Sequence, residues 1–269
     1  MTRFIFNLYS NLRKIDKRKR LFASVFGIVC AFLILTLFPF SKVIFALPIL
    51  FIFVYFGTFI AILEDIHNIE WIVLFIAPLY FCISLLLFYY LLPTRLLTRI
   101  PFVILVGVAM YALLLSENIF NVGVDRTLPL YRAAYSISNF FTLIILFLVF
   151  TVLFSFRLHF VLTSFIGGVV ALPVMFHALW TASPKNVLEE RVYKFSVIIA
   201  LMLSVALLLF GFLPVKTNIL SLYAISIAYV LIGVTQEIIQ DTAFRDRVRE
   251  YLFVFLGMSL LVLLAGNWG

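Results

Sequence analysis

Charge is scarce in this sequence. Only 12% of its residues are Asp, Glu, Lys or Arg, and 65% are hydrophobic. A soluble domain carries about 25% charged residues. So small a polar complement cannot cover the chain in water, which excludes an ordinary soluble globular fold and leaves lipid as the solvent for the apolar excess. No polar stretch approaches the roughly 50 residues that a soluble domain needs. Cysteine is also scarce. Cys30 and Cys82 sit in separate apolar runs, where a thiol packs as a small hydrophobe. They make neither a disulfide framework nor a metal site.

Catalytic signatures are missing as well. The sequence has no G-x-x-x-x-G-K-[ST], no H-E-x-x-H, no C-x-x-C and no G-x-S-x-G. Those spacings carry phosphate cradling, zinc ligation, dithiol chemistry and a nucleophile elbow. No D-x-x-x-D motif of the prenyl-diphosphate type occurs either. An ATP-driven pump would need a separate ATPase subunit. No catalytic residue, cofactor or metal ligand is assigned on these grounds.

What the chain has is apolar length. A spanning helix needs about 20 mostly apolar residues. Nine segments qualify, at about 21–38, 43–63, 71–92, 100–120, 133–155, 160–182, 195–213, 219–239 and 251–267. The runs are continuous rather than alternating, so helices and not a barrel are expected. The fold class is therefore all-α, a polytopic transmembrane bundle of about nine spans. The first span is short and the first break tight, which leaves eight open.

The net charge of +8 does not indicate nucleic acid. Seven of the 20 Lys and Arg lie in residues 1–20. A basic cluster before an apolar run is a topogenic signal and a contact for anionic lipid. Residues 2–20 read as an amphipathic surface helix, with Phe4, Leu8 and Leu12 at i, i+4 spacing. The run after it is too long for a signal-peptide core, so an uncleaved first span is expected. With nine spans and a cytoplasmic N-terminus, the inner segments hold 15 Lys and Arg and the outer ones 5. That bias orients the chain N-in.

Other residues fit the same scheme. Trp71, Trp180 and Trp268 fall at span ends, as an aromatic belt requires. Gly57 with Ala61, and Gly167 with Ala171, form small-xxx-small faces where helices can approach closely. Pro48, Pro78 and Pro173 interrupt spans.

The even-numbered spans share a regularity. Each has a basic residue at its outer end and a titratable group near its inner end: Lys42 and Glu64, Arg95 and Glu117, Arg157 and His177, Lys216 and Glu237. The separations of 20 to 22 residues correspond to about 30 Å, the hydrocarbon thickness. Four similarly oriented hairpins plus a final helix follow from this. A polar layer then lies just inside the cytoplasmic boundary, built from Glu64, Glu117, His177 and Glu237, with Asn118, Asn121, Asn139 and Gln236 at similar depth. The plain reading is that these charges mark where lipid ends. The sharper one is a cavity for an ion, proton or head group, because intramembrane ionisable groups are costly to keep.

Individual sites divide in the same way. Glu117, Asn121 and Asp125 at i, i+4, i+8 share a face if their helix continues, or else cap a helix end beside Arg126. His177, four residues after Pro173, is either a proton shuttle at a kink or a packed interfacial histidine. Glu64, Asp65, His67 and Glu70 resemble metal ligands by composition only. The alternating charges of Asp241–Glu250 suit a solvated surface.

The stretch Ser116–Val122, with Arg126-Thr127 and Arg132-Ala133-Ala134 after it, resembles an uncharacterised family of bacterial polytopic membrane proteins from small-genome lineages. Arg247–Leu252 resembles it too. The resemblance implies a bacterial inner membrane and supplies no site residues. Three functions remain in play: a non-catalytic component of an envelope complex, a transporter or channel using the polar layer, and an enzyme acting on lipid-linked substrates. The lipid bilayer is the one partner expected on physical grounds.

Overall fold

Each apolar run falls on one helix. The structure, a computed structural model, describes residues 16–63, 70–93, 96–122, 129–185, 189–240 and 248–266. Among them there are nine α-helices and no strand: α1 Lys17–Leu35, α2 Val43–Ile62, α3 Glu70–Tyr89, α4 Leu96–Asn121, α5 Pro129–Ser155, α6 Phe160–Trp180, α7 Glu190–Phe210, α8 Thr217–Gln240 and α9 Val248–Ala265. Seven of these, α2 through α8, are long and apolar enough to cross a membrane. Large apolar side chains point outward along them, including Ile44, Phe45, Leu105, Val108 and Phe165. Such surface is stable in hydrocarbon and not in water, so the protein is a multi-pass membrane protein.

The helix ends do not coincide with the ends of the apolar runs. α1 begins at Lys17, four residues before its apolar run, and Lys17–Arg20 form its first turn. Lys and Arg are good helix formers, so the change in polarity marks the edge of lipid rather than the end of the helix. α5 begins at Pro129, where the missing N–H of proline costs nothing. Four helices contain an internal proline, at Pro48, Pro78, Pro101 and Pro173.

The chain divides into two compact units, residues 1–138 and 139–269, with the boundary inside α5. In the first unit α1 packs antiparallel to α2 and α4. A Cβ on Gly57 would lie 2.7 Å from Ile28 Cδ1, so glycine is what lets α2 close on α1. Phe32 lies tilted against Phe102, with ring centroids 6.2 Å apart, and Val29 lies against Gly107. At the far end Tyr90 donates its hydroxyl to Leu35 O at 3.2 Å, and Arg99 Nε donates to Tyr89 Oη at 3.0 Å. These bonds tie the ends of α1 and α3 to the start of α4.

In the second unit the most extensive packing is between α6 and α7. Size and hydroxyl chemistry explain it. A Cβ on Gly168 would meet Ser204 Cβ at 2.8 Å, and one on Gly211 would meet Phe160 Cβ at 2.4 Å. The close approach lets Ser164 Oγ donate to Ser204 O at 2.7 Å while Ser204 Oγ donates to Ser164 O at 3.0 Å. Two hydroxyls thus satisfy each other's helix without any group left over. Gly167, expected to be an interface position, would put a Cβ 2.2 Å from Leu207 Cδ1. The α7–α8 and α8–α9 neighbours are held by Phe210 on Tyr223, at 5.0 Å, and by a Tyr223–Ser259 hydroxyl contact of 3.1 Å.

Candidate functional site

The polar groups expected at one depth are buried rather than edge-facing. Relative exposures are 0% for Glu117, 1% for His177 and 3% for Glu237, with Asn118 and Asn121 also inside and Asn139 partly so. Glu64 lies outside the described residues, as do Asp65, His67, Asp125, Arg126, Trp268 and the basic segment up to residue 15.

In the first unit, Glu117, Asn118 and Asn121 occupy the last turns of α4. The helix ends at Asn121 and a turn follows at Val122, so it carries the Glu117 and Asn121 part of the expected face, and Asp125 lies outside the described residues. Asn118 Oδ1 has no hydrogen-bond partner among the described residues. Arg20 joins this region, and the sequence had concealed it. It is only 2% exposed although it closes a run of four bases. The antiparallel α1–α4 register set by Phe32–Phe102 and Val29–Gly107 brings Arg20 to about the level of Glu117.

In the second unit the layer is built from helix to helix. Gln236 on α8 donates from Nε2 to Asn139 Oδ1 on α5 at 2.9 Å and to Ala178 O on α6 at 2.8 Å. Asn139 Nδ2 returns a long contact to Gln236 Oε1 at 3.4 Å. Ala178 has its carbonyl to offer for a local reason. The last turn of α6 tightens, and the Ala182 N–H bonds Leu179 O instead of Ala178 O. The released carbonyl accepts from Thr181 Oγ1 at 2.9 Å and from Gln236. Orphan carbonyls at a helix end need such partners, above all in a membrane. Gln240 repeats the contact one turn on, with Nε2 donating to Ala182 O at 3.3 Å.

The chain matches no family model, no curated protein and no solved structure. The meaning of the layer is therefore carried by its own geometry.

Glu237, next to Gln236, faces α9. Tyr251 donates its hydroxyl to Glu237 Oε1 at 3.3 Å. Gly233 makes this reach feasible, since a Cβ there would sit 2.5 Å from the Tyr251 hydroxyl. Tyr229 closes the same face with its ring 5.5 Å from Tyr251. Positions 229, 233 and 237 thus form one stripe of α8 that seats one tyrosine. His177 adjoins Ala178 in sequence, so Asn139, His177, Gln236 and Glu237 lie within about a turn of one another in height. Among the described residues, no three His, Cys, Asp or Glu side chains converge as metal ligands.

Trp180 differs from the interfacial anchor that its position suggests. It ends α6 as expected, but it is buried and donates Nε1 to Lys185 O at 3.1 Å. It pins the α6–α7 connection instead of floating at the lipid boundary. The exposed ion pairs Lys185–Glu189 and Glu190–Lys194 flank that connection, and each contributes at most about 0.5 kcal/mol.

Proposed function

We propose that this chain is a non-catalytic, nine-span component of an envelope or membrane complex. Its N-terminus is cytoplasmic and its helices run as four hairpins and a final span. The setting is a bacterial inner membrane, which the family resemblance implies and the basic N-terminal cluster suits. One observation carries the non-catalytic reading. In the second unit the amides of the polar layer are taken up in helix-to-helix bonds: Gln236 to Asn139 and Ala178, and Gln240 to Ala182. Groups engaged in this way hold a bundle together and leave few positions for a solute.

A second reading is favoured by a different fact. Glu117, His177 and Glu237 are three titratable groups inside the protein, and intramembrane ionisable groups belong by default to ion or proton pathways. One experiment separates the two. The purified protein is reconstituted into liposomes loaded with a pH-sensitive dye, and proton and alkali-cation flux are followed under an imposed potential. The non-catalytic reading expects flux equal to that of empty liposomes. Flux that is lost in Glu117→Gln or Glu237→Gln would replace it with transport.

A further inference from the structure

The second unit holds a feature that the polar layer does not explain. At the opposite ends of its helices, the turn between α5 and α6 and the ends of α7 and α8 line a half-open cavity of about 340 Å³. Its wall is two-natured. Phe154, Leu207, Phe210 and Leu220 give an apolar side, and Arg157 and His159 give a basic one. Each apolar residue belongs to a helix long and apolar enough to cross the membrane. The cavity therefore sits where hydrocarbon gives way to headgroups.

Arg157 is the unusual element. Among the described residues it is the one non-glycine placed in the left-handed region, with φ at 50°. The α5–α6 connection is four residues long, and a left-handed residue makes that turn. Glycine would take the conformation without a Cβ clash. Arginine stands there instead, so its side chain is what the position supplies, and a strained residue of this kind points to function. No acidic side chain among the described residues pairs with it. Beside it the His159 ring leans on Phe160, 4.3 Å between centroids, and Phe160 on Phe212, 5.2 Å. These rings form a firm wall next to the two basic groups.

We propose that this cavity binds one phospholipid. Arg157 and His159 hold the phosphate, and an acyl chain lies on Phe154, Leu207, Phe210 and Leu220. Guanidinium recognises phosphate through a bidentate fork, and the adjoining apolar wall accepts a chain that a free anion lacks. The site depends only on the protein being in a membrane, so it stands or falls separately from the function proposed above.

Native mass spectrometry of the detergent-purified protein tests it. The wild type, Arg157→Gly, Arg157→Lys and Leu220→Trp are each titrated with phosphatidylglycerol, phosphatidylcholine or inorganic phosphate. The wild type should retain one phosphatidylglycerol about five- to tenfold more strongly than Arg157→Gly. Arg157→Lys keeps the charge but not the fork, so its retention should fall between those of the wild type and Arg157→Gly. Arg157→Gly should keep the wild-type Tm, because glycine accepts φ 50° freely, so a loss of lipid is not a loss of fold. Leu220→Trp fills the apolar side and should also lose the lipid. Equal retention by the wild type and Arg157→Gly would overturn the proposal. So would displacement of the lipid by inorganic phosphate at equal concentration, which would mark a free-anion site. Full retention in Leu220→Trp would also overturn it, because the apolar wall would then hold nothing.

Discussion

Removing Gln236 tests whether the polar layer acts as an interhelical lock. The replacement Gln236→Leu keeps most of the volume and deletes the amide, and Asn139→Ala removes its partner on α5. Two bonds from Gln236 are short, at 2.9 and 2.8 Å. The third, at 3.4 Å, lies beyond the strong range and adds little. Hydrogen bonds between membrane helices average about 0.6 kcal/mol and reach about 1.7. Gln236→Leu should then cost about 1–3 kcal/mol, and its coupling to Asn139→Ala should be about 0.6–1.7 kcal/mol. The Ala178 bond lies outside this cycle. Gln236→Leu should therefore still cost about 0.6 kcal/mol or more when Asn139 is already Ala. Ala178 O keeps its bond from Thr181 Oγ1, which caps the loss. Reversible unfolding in mixed micelles, by steric trapping or detergent titration, reads all four corners of the cycle. A coupling below about 0.3 kcal/mol would refute the lock. A Gln236→Leu change without cost in the Asn139→Ala background would refute the part assigned to Ala178.

Three further outcomes follow from the helix contacts. Gly168→Ala should destabilise by about 1–3 kcal/mol, because its Cβ meets Ser204 Cβ at 2.8 Å and disturbs the reciprocal serine bonds. Gly27→Ala, with nothing within 4 Å, should gain about 0.5–1 kcal/mol from helix propensity; thermal unfolding of both variants side by side checks the contrast. Tyr251→Phe should cost about 0.5–1.5 kcal/mol through the lost bond to Glu237, and an unchanged Tm would show that the hydroxyl contributes nothing there.

Much of the fold was legible because membranes read length. Every run of about 20 apolar residues became one helix, and Gly57 and Gly167 marked close approaches because size rather than polarity encodes those interfaces. What the sequence could not show was direction around each helix. A continuously apolar run has no periodicity to say which side faces inward. The spacing of Glu117, His177 and Glu237 from the basic span ends was readable, but their burial was not. Ser164 and Ser204 escaped notice for the same reason. The signal that could have found them is Ser164 with Gly168 one turn on, set against Ser204 and Gly211 across a short connection. Tyr251 looked like the margin of a charged loop, and only the notch at Gly233 gives it a role.

Arg20 changes how the N-terminal cluster should be weighed. Counting positive charges treats the bases from Lys17 to Arg20 as equivalent votes for the cytoplasmic side. Arg18 and Lys19 are exposed and able to vote. Arg20 is enclosed by its neighbours, so its charge is spoken for within the bundle. An orientation reporter fused to an Arg20 variant would register damaged packing as well as altered insertion. The same substitution at Arg18 would leave the interior intact and report insertion alone.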